Sequence, residues 1–254
     1  CYVYLHKNFL NMIILSILFL ITAILYSSVG FGGGSTYLAL LLLWEIPFYI
    51  LPIIALFCNV IVVSGNSINY VKAGNHNFKL LIPFLFGSIP LAFIGGSISL
   101  EKNLFEISLF LILFLAGILL LINSKSYESK NIIIKRIHWF VSFIIGSILG
   151  LASGVVGIGG GIFLSPILFL LKADKPKNIS TNASLFILIN SISGIFGQLT
   201  KEIVLNEIVS YWPLFLCVLI GGQIGNYLNI KIINNRFLAI ITSILVLFVS
   251  IRMG

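Results

Sequence analysis

Long apolar segments separated by short polar ones follow one another along the whole chain. They are continuously hydrophobic and do not alternate, which is typical of membrane-spanning helices and not of barrel strands. A helix needs about 20 apolar residues to cross the hydrocarbon layer. The pattern predicts long helices at about 8–29, 48–69, 80–100, 104–123, 137–156, 180–199, 208–229 and 237–253. Two shorter apolar segments, 35–44 and 162–171, follow the first and the fifth of these.

The composition agrees with this pattern. Of the 254 residues, 59% are hydrophobic and 9% are charged, and the mean hydropathy is +1.15. A soluble domain has roughly a quarter of its residues charged. We therefore predict an all-α, polytopic protein of the plasma or inner membrane that lies in the lipid bilayer with about eight long transmembrane helices. The net charge of +8 would suggest nucleic acid in a soluble protein, but in membrane loops it is a signal of topology, so we expect no nucleic-acid partner.

One glycine-rich phrase occurs twice, as VGFGGGSTYLALLLLW at 29–44 and as VGIGGGIFLSPILFLL at 156–171. An offset near 127 brings Gly30, Gly32, Gly33 and Gly34 onto Gly157, Gly159, Gly160 and Gly161. The correspondence continues, since Asn66 meets Asn190 and the pair Gly95 and Gly96 meets Gly221 and Gly222. We predict two homologous transmembrane halves, 1–123 and 137–254, joined by a linker at 124–136. A duplication of this kind is typical of transporters.

The orientation of the halves depends on the role of the glycine phrase. If each phrase only extends a span, each half crosses the membrane four times and the halves are parallel. If each phrase is the tip of a hairpin with the short helix after it, the number is odd and the halves are inverted. The hairpin arrangement puts eleven Lys/Arg on one side, Lys72, Lys79, Lys125, Lys130, Lys135, Arg136, Lys172, Lys175, Lys177, Lys231 and Arg236. Only four lie opposite, Lys7, Lys102, Lys201 and Arg252. The positive-inside rule therefore favours inverted repeats, with the linker in the cytoplasm and both termini outside.

The glycines suggest a binding site. Irregular backbone at membrane depth must be covered by protein or line a cavity, and glycine permits close approach of a ligand or of another backbone. The helix after each phrase begins with unpaired N–H groups and a partial positive charge, which suits an anion. The alternative is that the glycines only allow close helix packing. Their recurrence before two short helices favours binding of a small anionic substrate, with Ser35 and Thr36 offering hydroxyl groups beside the first phrase.

The phrases GFGGGSTYLAL and GIGGGIFLSPIL resemble the duplicated glycine motif of the sulfite exporter TauE/SafE family of membrane permeases. The resemblance covers essentially the whole chain. Pro166 stands five residues after Gly161, as the family pattern usually has it, whereas the first copy departs from the pattern with Ala39. The resemblance implies a permease that exports small sulfur-containing anions, such as sulfite or organosulfonates.

Neutral polar residues on the long helices after each phrase are further candidates for substrate binding. They are Asn59, Ser64 and Asn66 in the first half and Asn182, Ser184, Asn190 and Gln198 in the second. The alternative is that they join helices to one another, at about 0.6 kcal/mol per hydrogen bond. Their occurrence at similar places in both halves favours a site.

The sequence carries no enzyme motif, so we predict no catalytic residue and no cofactor. Cys1, Cys58 and Cys217 have no metal-ligand spacing, and we predict no metal site and no disulfide. Because the chain starts at Cys1 and not at Met, we expect a few native residues before it. A passive anion channel and a membrane assembly factor without a substrate remain as alternatives to a permease, and assembly into a homo-oligomer stays open.

Overall fold

The protein is a bundle of helices. The structure is a computed structural model that describes residues 2–28, 30–74, 76–123, 134–201 and 205–229, together with residues 244 and 247. These ranges contain helices and turns and no strand. The helices are α1 (Tyr2–Ser27), α2 (Gly34–Leu43), α3 (Leu51–Lys72), α4 (Phe78–Ser97), α5 (Lys102–Asn123), α6 (Trp139–Val156), α7 (Gly161–Leu170), α8 (Pro176–Gln198), α9 (Leu205–Val209) and α10 (Trp212–Asn229).

The described helices confirm an all-α protein that crosses the membrane several times. Five segments are long and apolar enough to span a membrane, Phe48–Lys72, Phe78–Ser97, Lys102–Leu119, Trp139–Val156 and Lys177–Gln198. Shorter apolar helical segments are Asn11–Ser27, Gly34–Leu43, Gly161–Leu170 and Trp212–Leu228. The helix predicted at 237–253 lies outside the described ranges.

The segment predicted as one helix at 208–229 contains a break. Helix α9 ends at Val209 and α10 begins at Trp212, with a turn between them at Ser210 and Tyr211. Pro213 is the second residue of α10, where its missing N–H group leaves no hydrogen bond unmade. A proline in the middle of a continuous helix would break the hydrogen-bond ladder, so the chain starts a new helix here.

The two glycine phrases lead into helices of equal length. Helices α2 and α7 both have ten residues, although Pro166 occupies the sixth position of α7 and Ala39 the corresponding position of α2. Ala39 therefore leaves the length of the first short helix unchanged. Both helices are largely buried, which covers the irregular backbone of the phrases with protein.

Long helices from the first part of the chain pack against long helices from the second part. Helix α4 packs along α6, α1 packs along α10, and α3 and α8 contact each other between these pairs. Glycines allow the close approach, because a Cβ atom on Gly150 or Gly154 of α6 would clash with a backbone carbonyl of α4. A Cβ atom on Gly225 of α10 would clash in the same way with the carbonyl of Ile24. These glycines therefore act in helix packing, as small residues do between membrane helices.

Apolar side chains cover the outer surface of the bundle. Phe86 on α4, Ile148 on α6 and Phe196 on α8 are each more than half exposed, at 64%, 63% and 61%. Most of the buried polar residues lie inside the bundle, including Asn59, Asn66 and Asn190 at 0%. A polar interior with an apolar exterior is the arrangement that a lipid environment requires.

Candidate functional site

Each short helix begins at a glycine whose backbone is left-handed. Gly33 is the N-cap of α2 with φ 88°, and Gly160 is the N-cap of α7 with φ 75°. Glycine adopts this conformation at no steric cost, whereas other residues rarely do. No side chain caps either helix. The first N–H groups of both helices are thus oriented by the glycine turns and left available to another acceptor.

Asn59 lies where the two glycine phrases meet. Its side chain is completely buried on α3, and its Nδ2 donates a hydrogen bond of 3.1 Å to the carbonyl of Ile158 in the second phrase. A Cβ atom on Gly34 of the first phrase would lie 2.6 Å from the same Nδ2. A Cβ atom on Gly32 would clash with the Asn59 carboxamide oxygen. The absence of side chains at these glycines therefore lets one carboxamide touch both phrases.

The second phrase reaches this junction beside Ser191. A Cβ atom on Gly159 would lie 2.9 Å from the Asn59 Nδ2 and equally far from the Ser191 Oγ. The Ser191 hydroxyl and the Asn59 Oδ1 are both buried and have no hydrogen-bond partner within the described part of the chain. An unsatisfied buried polar atom costs about 1–3 kcal/mol, so two of them at one place indicate a site kept for a ligand or for water.

Hydroxyl groups surround the start of α2. The Tyr26 hydroxyl forms hydrogen bonds with Thr36 Oγ1 at 2.7 Å and with Ser35 Oγ at 3.4 Å. Tyr37 stacks on Phe19 with its ring centroid 4.7 Å away, and its buried hydroxyl has no partner within the described ranges. The first short helix thus carries several neutral donors within a turn of its N-terminus.

The junction is closed. The cavity beside Gly32, Gly33, Gly34 and Ser35 has a volume of about 10 Å³ accessible to water. Roughly 10–15 Å³ is needed for a single water molecule. The other residues around it are Tyr26, Phe31, Ile158, Ile162 and Ile187, so the described lining carries no formal charge. A ligand enters this place only if the two phrases move apart.

Other predicted residues of the first half face different partners. Asn66 donates from Nδ2 to the Ser27 carbonyl at 3.1 Å, and its Oδ1 accepts from the Ser27 hydroxyl at 3.2 Å. Ser64 is half-buried, and its hydroxyl donates a hydrogen bond to the Val60 carbonyl of its own helix. Gly30 lies beside the Tyr70 ring, where a Cβ atom would approach the ring to 2.9 Å. Of these, only Asn66 joins two helices, α3 and α1.

The predicted residues of the second half are spread along α8. Ser184 shares a hydrogen bond of 3.1 Å with Ser67 on α3, and Asn190 donates to the Phe186 carbonyl of its own helix at 2.9 Å. Gln198 donates to the Gly154 carbonyl at 3.1 Å. Asn182 lies at the opposite end of α8, where its Nδ2 donates to the Asn77 carbonyl at 3.3 Å. The remaining glycines pack closely, with Gly157 against Pro52 and Gly161 against Ile187.

The structure therefore gathers only part of the predicted set. Both glycine phrases, Ser35, Thr36 and Asn59 come together, while the described side-chain hydrogen bonds of the other candidates go to residues outside the two phrases; these candidates are Ser64, Asn66, Asn182, Ser184, Asn190 and Gln198. Sequence reasoning missed Tyr26, Tyr37 and Ser191. Ser191 directly follows Asn190, so the polar segment was recognised but the neighbouring side chain faces the junction. The two tyrosines flank the first phrase, and their proximity to it was the available signal.

The basic loops meet at one end of the bundle. The backbone N–H of Lys135 donates to the Lys172 carbonyl at 3.0 Å, which joins the residues before α6 to the loop after α7. Asp174 in that loop accepts from Asn77 Nδ2 at 2.6 Å, just before α4. Lys79 and Arg136 line one cavity there. We call this the lysine-rich end.

The fold and the junction define a multi-pass helical membrane protein with a neutral, buried polar centre. Comparison with known families makes this specific. The model of the sulfite exporter TauE/SafE family matches residues 15–253, and the chain belongs to this family of membrane transporters.

Several relatives support the assignment. The probable membrane transporter protein y4hK of Sinorhizobium fredii is 26% identical, over 94% of this chain and 96% of its own length. The probable membrane transporter protein YunE of Bacillus subtilis is 22% identical over 94% of this chain and 96% of its own. A probable membrane transporter protein of Methanocaldococcus jannaschii is 31% identical over 72% of this chain and 70% of its own. No solved structure matches the chain significantly.

Proposed function

We propose that this chain is a permease of the cell membrane for a small anion, a sulfur oxyanion or organosulfonate such as sulfite, and that it works by alternating access around the junction at Asn59. The family description, sulfite exporter, supports the substrate class. The observation that carries the proposal is the contact of Asn59 with both glycine phrases. A single buried carboxamide then responds to the position of both short helices.

The chemistry of the junction favours an anion. Two helix N-termini without side-chain caps lie beside it, and each carries about half a positive charge. Neutral hydroxyl groups of Tyr26, Thr36 and Ser191 add hydrogen-bond donors at low electrostatic cost. A cation would face the positive ends of both helices and is therefore disfavoured. An anion gains charge-assisted hydrogen bonds of about 1.5–3 kcal/mol each.

The small volume of the junction supports a conformational cycle. With about 10 Å³ open to water, the described conformation excludes any sulfur oxyanion. Separation of the phrases would break the hydrogen bond from Asn59 to Ile158 and free the carboxamide N–H for the substrate. The lost internal bond is then replaced by one to the anion, so opening and binding are coupled.

The helix pairs suggest which parts move. We propose that α1, α3 and α10 form one body and α4, α6 and α8 the other, with α3 and α8 at the contact between them. The close packing of α4 along α6 and of α1 along α10 supports these two pairs as the centres of the bodies. This packing between the two parts of the chain also supports inverted repeats, in which the two bodies are equivalent. The grouping of Lys135 and Lys172 at the lysine-rich end supports a cytoplasmic position for that end.

Flux through proteoliposomes tests the proposal. Purified protein is reconstituted, the vesicles are loaded with unlabelled sulfite, and entry of labelled sulfite is followed under nitrogen to prevent oxidation. A permease shows saturation and counterflow, in which the unlabelled load accelerates entry of the label. Flux that neither saturates nor shows counterflow would identify a channel. Absence of flux for every sulfur oxyanion and organosulfonate supplied would contradict the proposal and favour an assembly factor.

A further inference from the structure

A third cavity lies at the end of the bundle opposite the lysine-rich end. Its volume is about 280 Å³. It is bounded by the turn before α3, the connection from α4 to α5, the end of α6 and Lys201 after the end of α8. Phe48, Pro52, Leu100 and Phe105 provide aromatic and aliphatic walls. We call it the Lys201 cavity, because Lys201 is its one lysine or arginine among the described lining residues.

Lys201 is held by a hydrogen bond to a neutral side chain. Its Nζ donates a hydrogen bond of 2.9 Å to Gln198 Oε1, and Gln198 Nε2 donates to the Gly154 carbonyl. No carboxylate in the described part of the chain forms an ion pair with it. Partial burial lowers the pKa of Lys201 to about 8, because the ammonium form loses hydration. An ammonium has three N–H donors and Gln198 accepts from one, so among the described contacts two remain for a ligand.

One described acid, Glu207, is hydrogen-bonded to a residue that lines the cavity. Tyr49, which also lines the cavity, donates its hydroxyl to Glu207 Oε2 at 2.9 Å. Glu101, just before α5, and Lys102 and Glu106 on α5 are further described charged groups near the cavity, and Glu101 and Lys102 are exposed. Lys102 approaches Glu106 at 3.9 Å. The positive charge of Lys201 therefore meets an apolar cavity without a described counter-ion.

We propose that the Lys201 cavity binds a small organic monoanion, with its acidic head group on the Lys201 ammonium and its apolar body against Phe48, Leu100 and Phe105. A single cation matches a single negative charge, and the walls match an alkyl group better than the water shell of an inorganic dianion. This site is separate from the junction at Asn59. The inference rests on the proposed function, because it assigns to an anion permease a second anion-binding site at the end opposite the lysine-rich end.

The cavity is connected to the second glycine phrase. Pro52 lines the cavity, and a Cβ atom on Gly157 would lie 2.5 Å from the Pro52 Cα. Gln198 links Lys201 to Gly154, three residues before Gly157 on the chain. A ligand in the cavity thus lies beside Pro52, which itself packs against the backbone of the second glycine phrase. We therefore expect that binding of a ligand in the cavity affects the position of the second glycine phrase.

Binding to the full-length protein in lipid nanodiscs tests the site. Isothermal titration calorimetry with butanoate and propane-1-sulfonate is compared with sulfate at neutral pH. We expect both organic monoanions to bind more tightly than sulfate. Lys201→Gln should weaken their binding by about tenfold or more, while Lys102→Gln, which removes the same charge from a side chain 66% exposed at the same end, should leave it unchanged. Equal binding by Lys201→Gln and the unaltered protein would overturn the proposal.

Two further measurements distinguish the contribution of the Lys201 charge to binding from that of the apolar walls. Comparison with flux then distinguishes binding at this site from transport. Leu100→Asn should weaken the binding of propane-1-sulfonate and leave any sulfate binding unchanged. The affinity of the unaltered protein for butanoate should fall as pH rises through about 8, where Lys201 loses its proton. Anion flux without monoanion binding at Lys201 would refute this inference and leave the proposed permease standing. Binding at Lys201 without flux of any anion would refute the permease and leave the site standing.

Discussion

The side chain of Asn59 donates a hydrogen bond of 3.1 Å to the carbonyl of Ile158, 99 residues further along the chain. Asn59 belongs to the helix after the first glycine phrase, and Ile158 lies within the second phrase. The bond is buried and joins α3 to the second glycine phrase. Four predictions follow from this junction and from the helix arrangement around it.

Replacement of Asn59 should abolish transport. Asn59→Leu keeps a similar volume but removes the donor to Ile158, and the carbonyl is left unsatisfied at a cost of about 1–3 kcal/mol. We expect sulfite flux in proteoliposomes to fall to the level of empty vesicles, while the variant still reaches the membrane. The matched control is Asn69→Leu, the same change on the exposed face of the same helix, which should transport normally. Normal flux in Asn59→Leu would exclude a role for the junction.

A pair of glycine variants separates backbone strain from close packing. Gly157 and Gly74 have φ of 88° and 72°, so alanine is strained by about 1–2 kcal/mol at either position. A Cβ atom at Gly157 would lie 2.5 Å from the Pro52 Cα, whereas a Cβ atom at Gly74 would meet nothing within 4 Å. Thermal unfolding of the purified variants should show a larger loss of stability for Gly157→Ala, with loss of flux. Equal effects of the two changes would mean that packing at the second phrase is loose.

Topology is tested by labelling introduced cysteines from either side of the membrane. Lys135→Cys and Lys172→Cys, whose backbones are hydrogen-bonded at 3.0 Å, should react only with reagent on the cytoplasmic side. Lys102→Cys and Lys201→Cys should react only from the opposite side. The three native cysteines, Cys1, Cys58 and Cys217, are first replaced by alanine. Labelling of Lys135→Cys and Lys172→Cys from opposite sides, as four spans in each half would give, would rule out inverted repeats.

A cross-link between the two proposed bodies should stop transport. The Ser67 and Ser184 hydroxyl oxygens lie 3.1 Å apart between α3 and α8. In the background without the three native cysteines, the double variant Ser67→Cys, Ser184→Cys should form a disulfide on mild oxidation and lose flux, and a reductant should restore it. Each single variant under the same oxidation is the control. Full flux in the completely cross-linked protein would show that α3 and α8 do not separate during transport.

The hydropathy pattern predicted the order of the described helices, because membrane burial depends on the length and composition of each segment, but it did not predict the division of 208–229 between α9 and α10. The spans predicted at 80–100 and 137–156 correspond to α4, Phe78–Ser97, and α6, Trp139–Val156. The short segments predicted at 35–44 and 162–171 are α2 and α7. Family membership followed from the glycine phrases and is confirmed over residues 15–253.

The tertiary structure decided which polar residues meet. Asn59 and Asn182 were both predicted as substrate-binding residues, yet Asn59 contacts both phrases and Asn182 bonds to Asn77 at the lysine-rich end. In a helix that is apolar on most sides, the sequence pattern does not determine which face turns towards a partner. Rotation and height of each helix are set by the closest backbone contacts, such as Gly154 against α4. Those contacts lie between distant parts of the chain, and so the junction exists only once the helices have packed.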